Sequence, residues 1–136
     1  MRKTVMTAAL VALTGFSATV ASAKPSLREV PEVDNGLFAV AVANEIRKAC
    51  PDISARMIRA FTFAQSLEAK AKAMGYTDDE IETHLDSDAE KARMKARGAA
   101  YFKANGVTAD NPQSYCTLGR AEIQKSSQIG ALLRAK

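Results

Sequence analysis

Cys50 and Cys116 are the two residues of this chain whose chemistry is most constrained, because the sequence contains no other thiol. An isolated pair of this kind most often closes one disulfide in an oxidising compartment. A redox-active or metal-binding pair would instead need a C-x-x-C spacing or a histidine cluster, and the chain has a single histidine. The cysteine count therefore predicts a disulfide between Cys50 and Cys116.

Glu68 stands out among the titratable residues, since it falls inside the apolar arc of a predicted helix, between Ala64 and Ala71. A carboxylate placed there needs a hydrogen-bonding partner or takes a raised pKa. The candidate partners are all basic or amide side chains: Gln65, Lys72, Arg120 and Arg56. We expect a buried polar site around Glu68, with a paired structural carboxylate favoured over a functional acid.

His84, the single histidine, lies beside Leu85 on a short predicted helix. A lone imidazole can carry a proton or sense pH near neutrality. No second metal-type ligand stands at a suitable helical spacing, and no nucleophile is identifiable. A structural or surface role is favoured for His84, and pH sensing stays open as the alternative.

Charge is segregated along the chain, with seven carboxylates in residues 78–90 and then five basic residues and no acid in residues 91–103. Asp86-x-Asp88-x-Glu90 imitates the start of an EF-hand loop, but the sixth position is Lys91, where the turn needs glycine. Helix capping and the helix dipole account for the acids without a metal. The basic helix is interpreted as a solvated face, with a patch for an acidic partner or anionic lipid as the alternative. No metal or cofactor is predicted.

The first 23 residues have the pattern of a signal peptide. Arg2 and Lys3 precede an apolar run over residues 5–20, and Ala21-Ser22-Ala23 forms an A-x-A cleavage site with Lys24 as the new N-terminus. The run is too short and too rich in small residues for a comfortable membrane span of roughly 20 strongly apolar residues. We expect an exported protein, periplasmic or secreted, with no transmembrane segment after cleavage.

The residues that follow the leader are enough for one small domain. Cleavage removes Arg2 and Lys3, which leaves 17 basic residues against 15 acidic ones and lowers the formal charge from +4 to +2. Binding DNA or RNA calls for a much denser basic face. The partner expected of this chain is another periplasmic or envelope protein, and no nucleic acid.

Helical patterning must position these groups, because no stretch alternates with the period of two that marks a strand. Residues 24–35, which contain two prolines, are predicted to form an extended arm. Caps, capping boxes, prolines and glycines then delimit five helices: residues 36–49, 52 or 54 to 74, 78–85, 88–104 and 112–133. The second has the widest apolar arc and is expected to be central. The fold class predicted is all-α, a single compact domain of about five helices over residues 36–136 with one disulfide.

Periodicity also places both cysteines on inward faces. Cys50 follows Val42 and Ile46 at four-residue steps, and Cys116 begins a stripe of small residues with Gly119. Small residues at such steps let another backbone approach closely. A disulfide would then join the end of the first helix to the early turns of the last.

Several strings of the chain are distinctive in combination: Pro51-Asp52-Ile53-Ser54-Ala55-Arg56, Leu67-Glu68-Ala69, Met74-Gly75-Tyr76-Thr77, Lys91-Ala92-Arg93-Met94, Ser114-Tyr115-Cys116-x-x-Gly119-Arg120-Ala121-Glu122-Ile123 and Ser127-Gln128-Ile129-Gly130. Together they resemble a family of small exported alphaproteobacterial proteins classed as a domain of unknown function. The likeness covers essentially the whole mature chain. It implies export and the cysteine pair, and it carries no catalytic or binding residue because the family has no assigned activity.

These observations favour a non-enzymatic periplasmic binding or accessory protein. The chain shows no nucleophile and base pair, no metal-ligand spacing and no glycine-rich phosphate loop. An acid- or stress-responsive chaperone, triggered by the clustered acids and His84, is the first alternative. The second is a ligand carrier or an enzyme that uses a cleft near Glu68, for which the sequence indicates no catalytic residue.

Overall fold

The computed structural model describes residues 23–136, so the predicted signal peptide lies outside the described residues except for Ala23. Two 3-10 turns, Leu27–Glu29 and Gly130–Leu132, accompany five helices and two strands. The elements are α1 (Pro31–Ala49), β1 (Ile53–Ala55), α2 (Met57–Ala73), α3 (Asp78–Asp86), α4 (Asp88–Ala104), α5 (Pro112–Lys125) and β2 (Leu133–Ala135). The predicted domain of about five helices is confirmed, with a small sheet added. Within residues 23–136 no helix combines the length and the apolarity needed to cross a bilayer.

α1 is the element around which the core forms. Seven of its residues are buried, including Val42 and Ile46, and it packs against α2, α4, α5 and β1. The prediction that α2 is central is wrong, because only Leu67 and Ala71 of α2 are buried. The wide apolar arc of α2 is therefore only partly covered by its neighbours.

The predicted disulfide is confirmed: it joins Cys50, which follows α1, to Cys116 in the second turn of α5. Both cysteines are fully buried in the main apolar cluster. A Cβ at Gly119 would lie 2.8 Å from Cγ2 of Ile46, so the absence of a side chain at Gly119 lets α5 approach α1 as the small-residue stripe indicates.

The N-terminal arm is shorter than predicted. A 3-10 turn forms over Leu27–Glu29, and α1 begins at Pro31, five residues before the predicted start at Gly36. Proline is favoured at the first helical position because no backbone donor is needed there. A second apolar cluster fastens this segment to the body of the domain, and its buried members are Leu27, Val30, Val33, Ala71 and Tyr76.

The two strands replace segments that were predicted as helix. β1 delays the start of α2 to Met57, and it pairs antiparallel with β2 so that Ser54 lies opposite Arg134. α5 ends at Lys125, before the predicted end at Leu133, because Ser126 takes the left-handed conformation with a φ of 52°. The C-terminal segment then folds back along the domain and supplies the second strand.

Candidate binding surface

The predicted buried polar site around Glu68 does not form. The Glu68 side chain is 49% exposed, and its Oε1 lies 2.7 Å from Nζ of Lys72, one of the candidate partners. Arg120 pairs with Asp52 instead, at 3.1 Å. Arg56 is exposed at the start of α2. The predicted burial is wrong because the elements next to α2 leave about half of the Glu68 side chain open to solvent.

A buried carboxylate lies on α1 instead. Asp34 is 8% exposed and accepts hydrogen bonds from the guanidinium groups of Arg93 and Arg97 on α4. Glu90 pairs with Arg93 at 2.9 Å and also with Arg28. Every buried side-chain nitrogen and oxygen within residues 23–136 has a hydrogen-bond partner. These five groups therefore fasten α4 and the N-terminal turn to α1 and leave no unsatisfied group for a ligand.

Replacing Asp34 with alanine tests this cluster. A fully buried pair loses roughly 3–5 kcal/mol when one partner is removed, and we expect about 2 kcal/mol for Asp34→Ala because the two arginines are partly solvated. Arg93 and Arg97 are 29% and 35% exposed. Urea unfolding provides the measurement. The control is Glu32→Ala, also on α1, which removes an exposed pair with Lys70 of α2 and should cost less than about 1 kcal/mol. Equal losses would contradict the interpretation.

His84 lies half-buried on α3, near the same charged cluster. Burial lowers the pKa of the imidazole, and Arg93 and Arg28 lower it further while Asp34 opposes them. His84 is therefore neutral near pH 7. A role in pH sensing stays a prediction.

A second buried carboxylate, Glu122 on α5, accepts a hydrogen bond from the Tyr101 hydroxyl on α4 at 2.8 Å. Burial alone would raise the pKa of Glu122, but Ser127, Tyr101 and Lys125 outweigh it and hold the pKa below the usual value. Burial and the nearby carboxylate raise the pKa of the Tyr101 hydroxyl. This pair joins α4 to α5 and is structural.

Cys50, Asp52 and Cys116 bring three ligand-type atoms within 4.8 Å of one another. Metal binding needs thiolates, and both sulfur atoms are already joined to each other. Asp52 is also paired with Arg120. This group therefore does not form a metal site while the disulfide is intact.

The first two turns of α2 expose the large apolar side chains that its arc leaves uncovered. Met57, Ile58 and Phe61 are 67%, 86% and 65% exposed. At 100° per residue they share one face of the helix, which turns polar further along at Gln65 and Lys72. Isolated exposed apolar residues are common, but contiguous ones mark interaction sites.

A shallow, open concavity of about 800 Å³ lies beside this face, between α2 and the small sheet, and we call it the α2 dish. Met57 and Ile58 line it together with three arginines, Arg56, Arg59 and Arg134, and no carboxylate of residues 23–136 is among its lining residues. None of the three arginines takes part in an ion pair in this described part of the chain. The α2 dish thus combines uncovered apolar surface with uncompensated positive charge.

Sequence reasoning noticed Arg56 but missed the α2 dish. The signal available was the pair Arg56 and Arg59 around Met57 and Ile58 at the start of the second helix. Arg134 could not be added from sequence, since only the pairing of β1 with β2 brings it to this surface.

The comparisons with known proteins give a family and no activity. A family model whose description is a family of unknown function matches residues 25–134. No curated protein and no solved structure matches the chain. Any function must therefore be argued from the surface of this domain.

Proposed function

The chain belongs to the family of unknown function DUF5333, as its resemblance to a domain of unknown function indicated, and from that premise we propose that it is an exported, non-enzymatic binding protein. Its binding surface is the α2 dish. Its partner is a segment of a periplasmic or envelope protein that carries acidic and apolar side chains. The proposal rests on the exposure of Met57 and Ile58 beside three arginines for which residues 23–136 supply no carboxylate partner.

Shape and charge both support such a partner. Small-molecule sites enclose most of their ligand, whereas the α2 dish is open to solvent. A protein segment can place apolar side chains on Met57 and Ile58 while its carboxylates reach the guanidinium groups. Arginine favours carboxylates because its planar group donates two parallel hydrogen bonds.

An anionic membrane is another partner that a basic and apolar helix face can meet. Membrane-surface helices carry an apolar face over several turns. On α2 the exposed face becomes polar after Phe61, with Gln65, Glu68 and Lys72 following on it. An apolar face only two turns long favours a short protein segment over a lipid surface.

The titratable groups that line the α2 dish support a binding role over catalysis. They are arginines, which stay protonated in proteins and cannot serve as general bases. The α2 dish can therefore bind anionic groups through its arginines but has, within residues 23–136, no titratable side chain that would transfer a proton, which suits recognition.

The test uses two synthetic amphipathic peptides of equal length, one with glutamate and leucine side chains and one with lysine in place of each glutamate. We expect the mature chain, beginning at Lys24, to bind the acidic peptide, more weakly as salt is raised, and not the basic peptide. Arg59→Glu with Arg134→Glu should weaken acidic-peptide binding at least about tenfold, because like charges then face each other. Isothermal titration calorimetry measures both affinities.

The matched control changes the net charge equally at two exposed basic residues outside the α2 dish, through Arg47→Glu with Lys95→Glu. This control should lower the affinity for the acidic peptide only slightly. Equal losses in the two double variants, or equal binding of the two peptides, would show that the α2 dish is not the recognition surface.

An acid-responsive chaperone is the second candidate function, and the surroundings of His84 favour it. Arg28 in the N-terminal turn and Arg93 on α4 face His84, with Asp34 on α1 opposing them. Protonation adds a third positive charge to this group. Residues 78–86, which form α3, include no buried residue, so α3 is the element expected to loosen in acid.

The pH dependence of stability tests this candidate. The pKa of folded His84 is lowered from an unfolded value of about 6.5, so its contribution is complete above that value and is lost as the pH falls through the folded pKa. We expect urea unfolding to show a loss of stability below pH 6.5 that is smaller in His84→Gln. The lowered pKa of Glu122 stabilises the fold above the usual carboxyl range, and this contribution is lost only at more acidic pH. Binding of an apolar dye should rise as the pH falls from 7 to 3; unchanged dye binding and helicity would exclude the chaperone.

A further inference from the structure

A second concavity, a crevice of about 230 Å³, lies between α1, α2 and α3. Its walls are apolar and come from four elements, with Leu27 in the N-terminal turn, Val33 on α1, Leu67 on α2 and Ile81 on α3. It shares no lining residue with the α2 dish. The crevice is therefore a separate site within the same domain.

Three polar side chains line this apolar crevice: Gln65, Glu68 and His84. An apolar cavity with a few convergent polar groups is the usual form of a small-molecule site. The Oε1 atom of Glu68 pairs with Lys72, which leaves its Oε2 atom able to accept another hydrogen bond. Glu68 is thus available to a ligand head group.

The charge of the lining selects the head group. Glu68 carries a negative charge, His84 is neutral near pH 7, and no lysine or arginine in the described chain lines the crevice. Lys72 lies nearby, but Glu68 and Asp78 each pair with it at 2.7 Å and balance its charge. A head group that donates hydrogen bonds can therefore pair with Glu68, whereas a carboxylate head group has no cation in the described lining to pair with.

Uncovered apolar surface borders the same crevice. Phe61 and Leu85 both line it and are 65% and 48% exposed. The fold leaves these side chains uncovered, and an apolar chain that enters the crevice would cover part of them. The volume of the crevice limits that chain to about eight non-hydrogen atoms, if each atom takes the roughly 30 Å³ that one water molecule occupies in the liquid.

We propose that this crevice binds a small amphiphile with a short alkyl chain and a head group that donates hydrogen bonds, an amine or an alcohol, to Glu68. The alkyl chain lies against the apolar walls from α1, α2 and α3. The crevice gives the domain a ligand site that is independent of the α2 dish. A negative binding result at one site therefore does not bear on the proposal for the other.

Three probes of equal chain length test the proposal: hexylamine, 1-hexanol and hexanoate. Each is titrated into the mature chain while amide shifts are followed by nuclear magnetic resonance. We expect saturable shifts at Leu67, Ile81 and His84 with hexylamine and hexanol. Hexanoate should bind at least about threefold more weakly than hexylamine, which is the effect expected of one solvent-exposed charge. Absence of saturable binding, or hexanoate binding as tightly as hexylamine, would overturn the proposal.

Two variants locate the site. Ala64→Phe places a ring in the crevice and should abolish binding of all three probes. Glu68→Gln should weaken the binding of hexylamine about threefold, which is the effect of one exposed charge. The affinity for hexanol should not change. Glu82→Gln, an exposed carboxylate of α3 outside the crevice, is the control and should change neither affinity.

Circular dichroism checks that each variant is folded. Unaltered binding in folded Ala64→Phe would overturn the proposal. If that variant does not fold, Glu68→Gln decides: equal hexylamine affinity in Glu68→Gln and wild type overturns the role of Glu68 and with it the proposal.

Discussion

Removal of the disulfide, through Cys50→Ala together with Cys116→Ala, should lower the free energy of unfolding of the mature chain by about 4 kcal/mol. The two cysteines are 66 residues apart in sequence, and a bridge over a loop of this length strongly restricts the unfolded chain. Small domains have modest stability to begin with. We therefore expect the variant to be largely unfolded well below the melting temperature of the wild type.

Urea unfolding at pH 7 measures this loss against the wild type with its disulfide intact, and the variant is also compared with the wild type under reducing conditions. The variant and the reduced wild type both lack the bridge, so their unfolding midpoints should agree. A loss below about 1 kcal/mol, far under the range for native disulfides in small exported domains, would contradict a stabilising role. Free thiols in wild type purified without a reductant would contradict the bridge itself.

Gly130→Ala should destabilise the chain by about 3 kcal/mol, at the upper end of the usual cost of overpacking. A Cβ at Gly130 would overlap the backbone carbonyl of Glu122 and lie 2.6 Å from the backbone nitrogen of Ile123. These are main-chain atoms of the last turns of α5, which cannot rotate away as a side chain can. The segment that leads into β2 would have to move away from α5.

Gly98→Ala is the matched control for this substitution. Gly98 lies within α4, and a Cβ there has no neighbour within 4 Å among the described residues. Alanine favours helix over glycine by about 1 kcal/mol, so the melting temperature of Gly98→Ala should rise while that of Gly130→Ala falls. An unchanged melting temperature of Gly130→Ala would contradict the packing of the C-terminal segment against α5.

Helix starts with local signals were predictable from sequence. The Thr77 hydroxyl accepts a hydrogen bond from the Glu80 amide, and Ser87 caps α4 in the same way through Glu90. The Asn111 side chain caps α5. These interactions join residues no more than three positions apart, so the sequence contains all that determines them.

The small sheet and the end of α5 depend on distant parts of the chain. Ser54 pairs with Arg134, 80 residues later, and neither strand has a pattern that marks it locally. The stripe that begins at Cys116 was interpreted as one helix through Gly130. Gly119 does lie at a close approach to Ile53 and α1, whereas Gly130 lies beyond the helix and folds back onto it.

Charged groups were the least predictable part of the candidate sites. A position inside an apolar arc suggests burial for Glu68, but burial also requires that the neighbouring elements close over the side chain, and here they leave it half exposed. Asp34 is buried because α4 brings Arg93 and Arg97 to it from 59 and 63 residues along the chain. Helical periodicity shows which residues share a face, and only the tertiary fold shows which face is covered.

The same reasoning explains why the α2 dish was missed. Met57 lies on the second helix, which was expected to be central, so the exposure of its side chain was not expected. In the folded chain α1 covers only the side of α2 that carries Leu67 and Ala71. The side chains left uncovered are the ones that carry the proposed function.

Mapping of the acidic-peptide site by amide chemical shifts tests that function most directly. The isotope-labelled mature chain is titrated with the glutamate and leucine peptide at low salt. We expect the largest saturable shifts over residues 55–66 and at Arg134, with the shifts diminishing as salt is raised. Largest shifts over the basic face of α4, residues 91–103, or no saturable shift anywhere, would contradict the α2 dish as the binding surface.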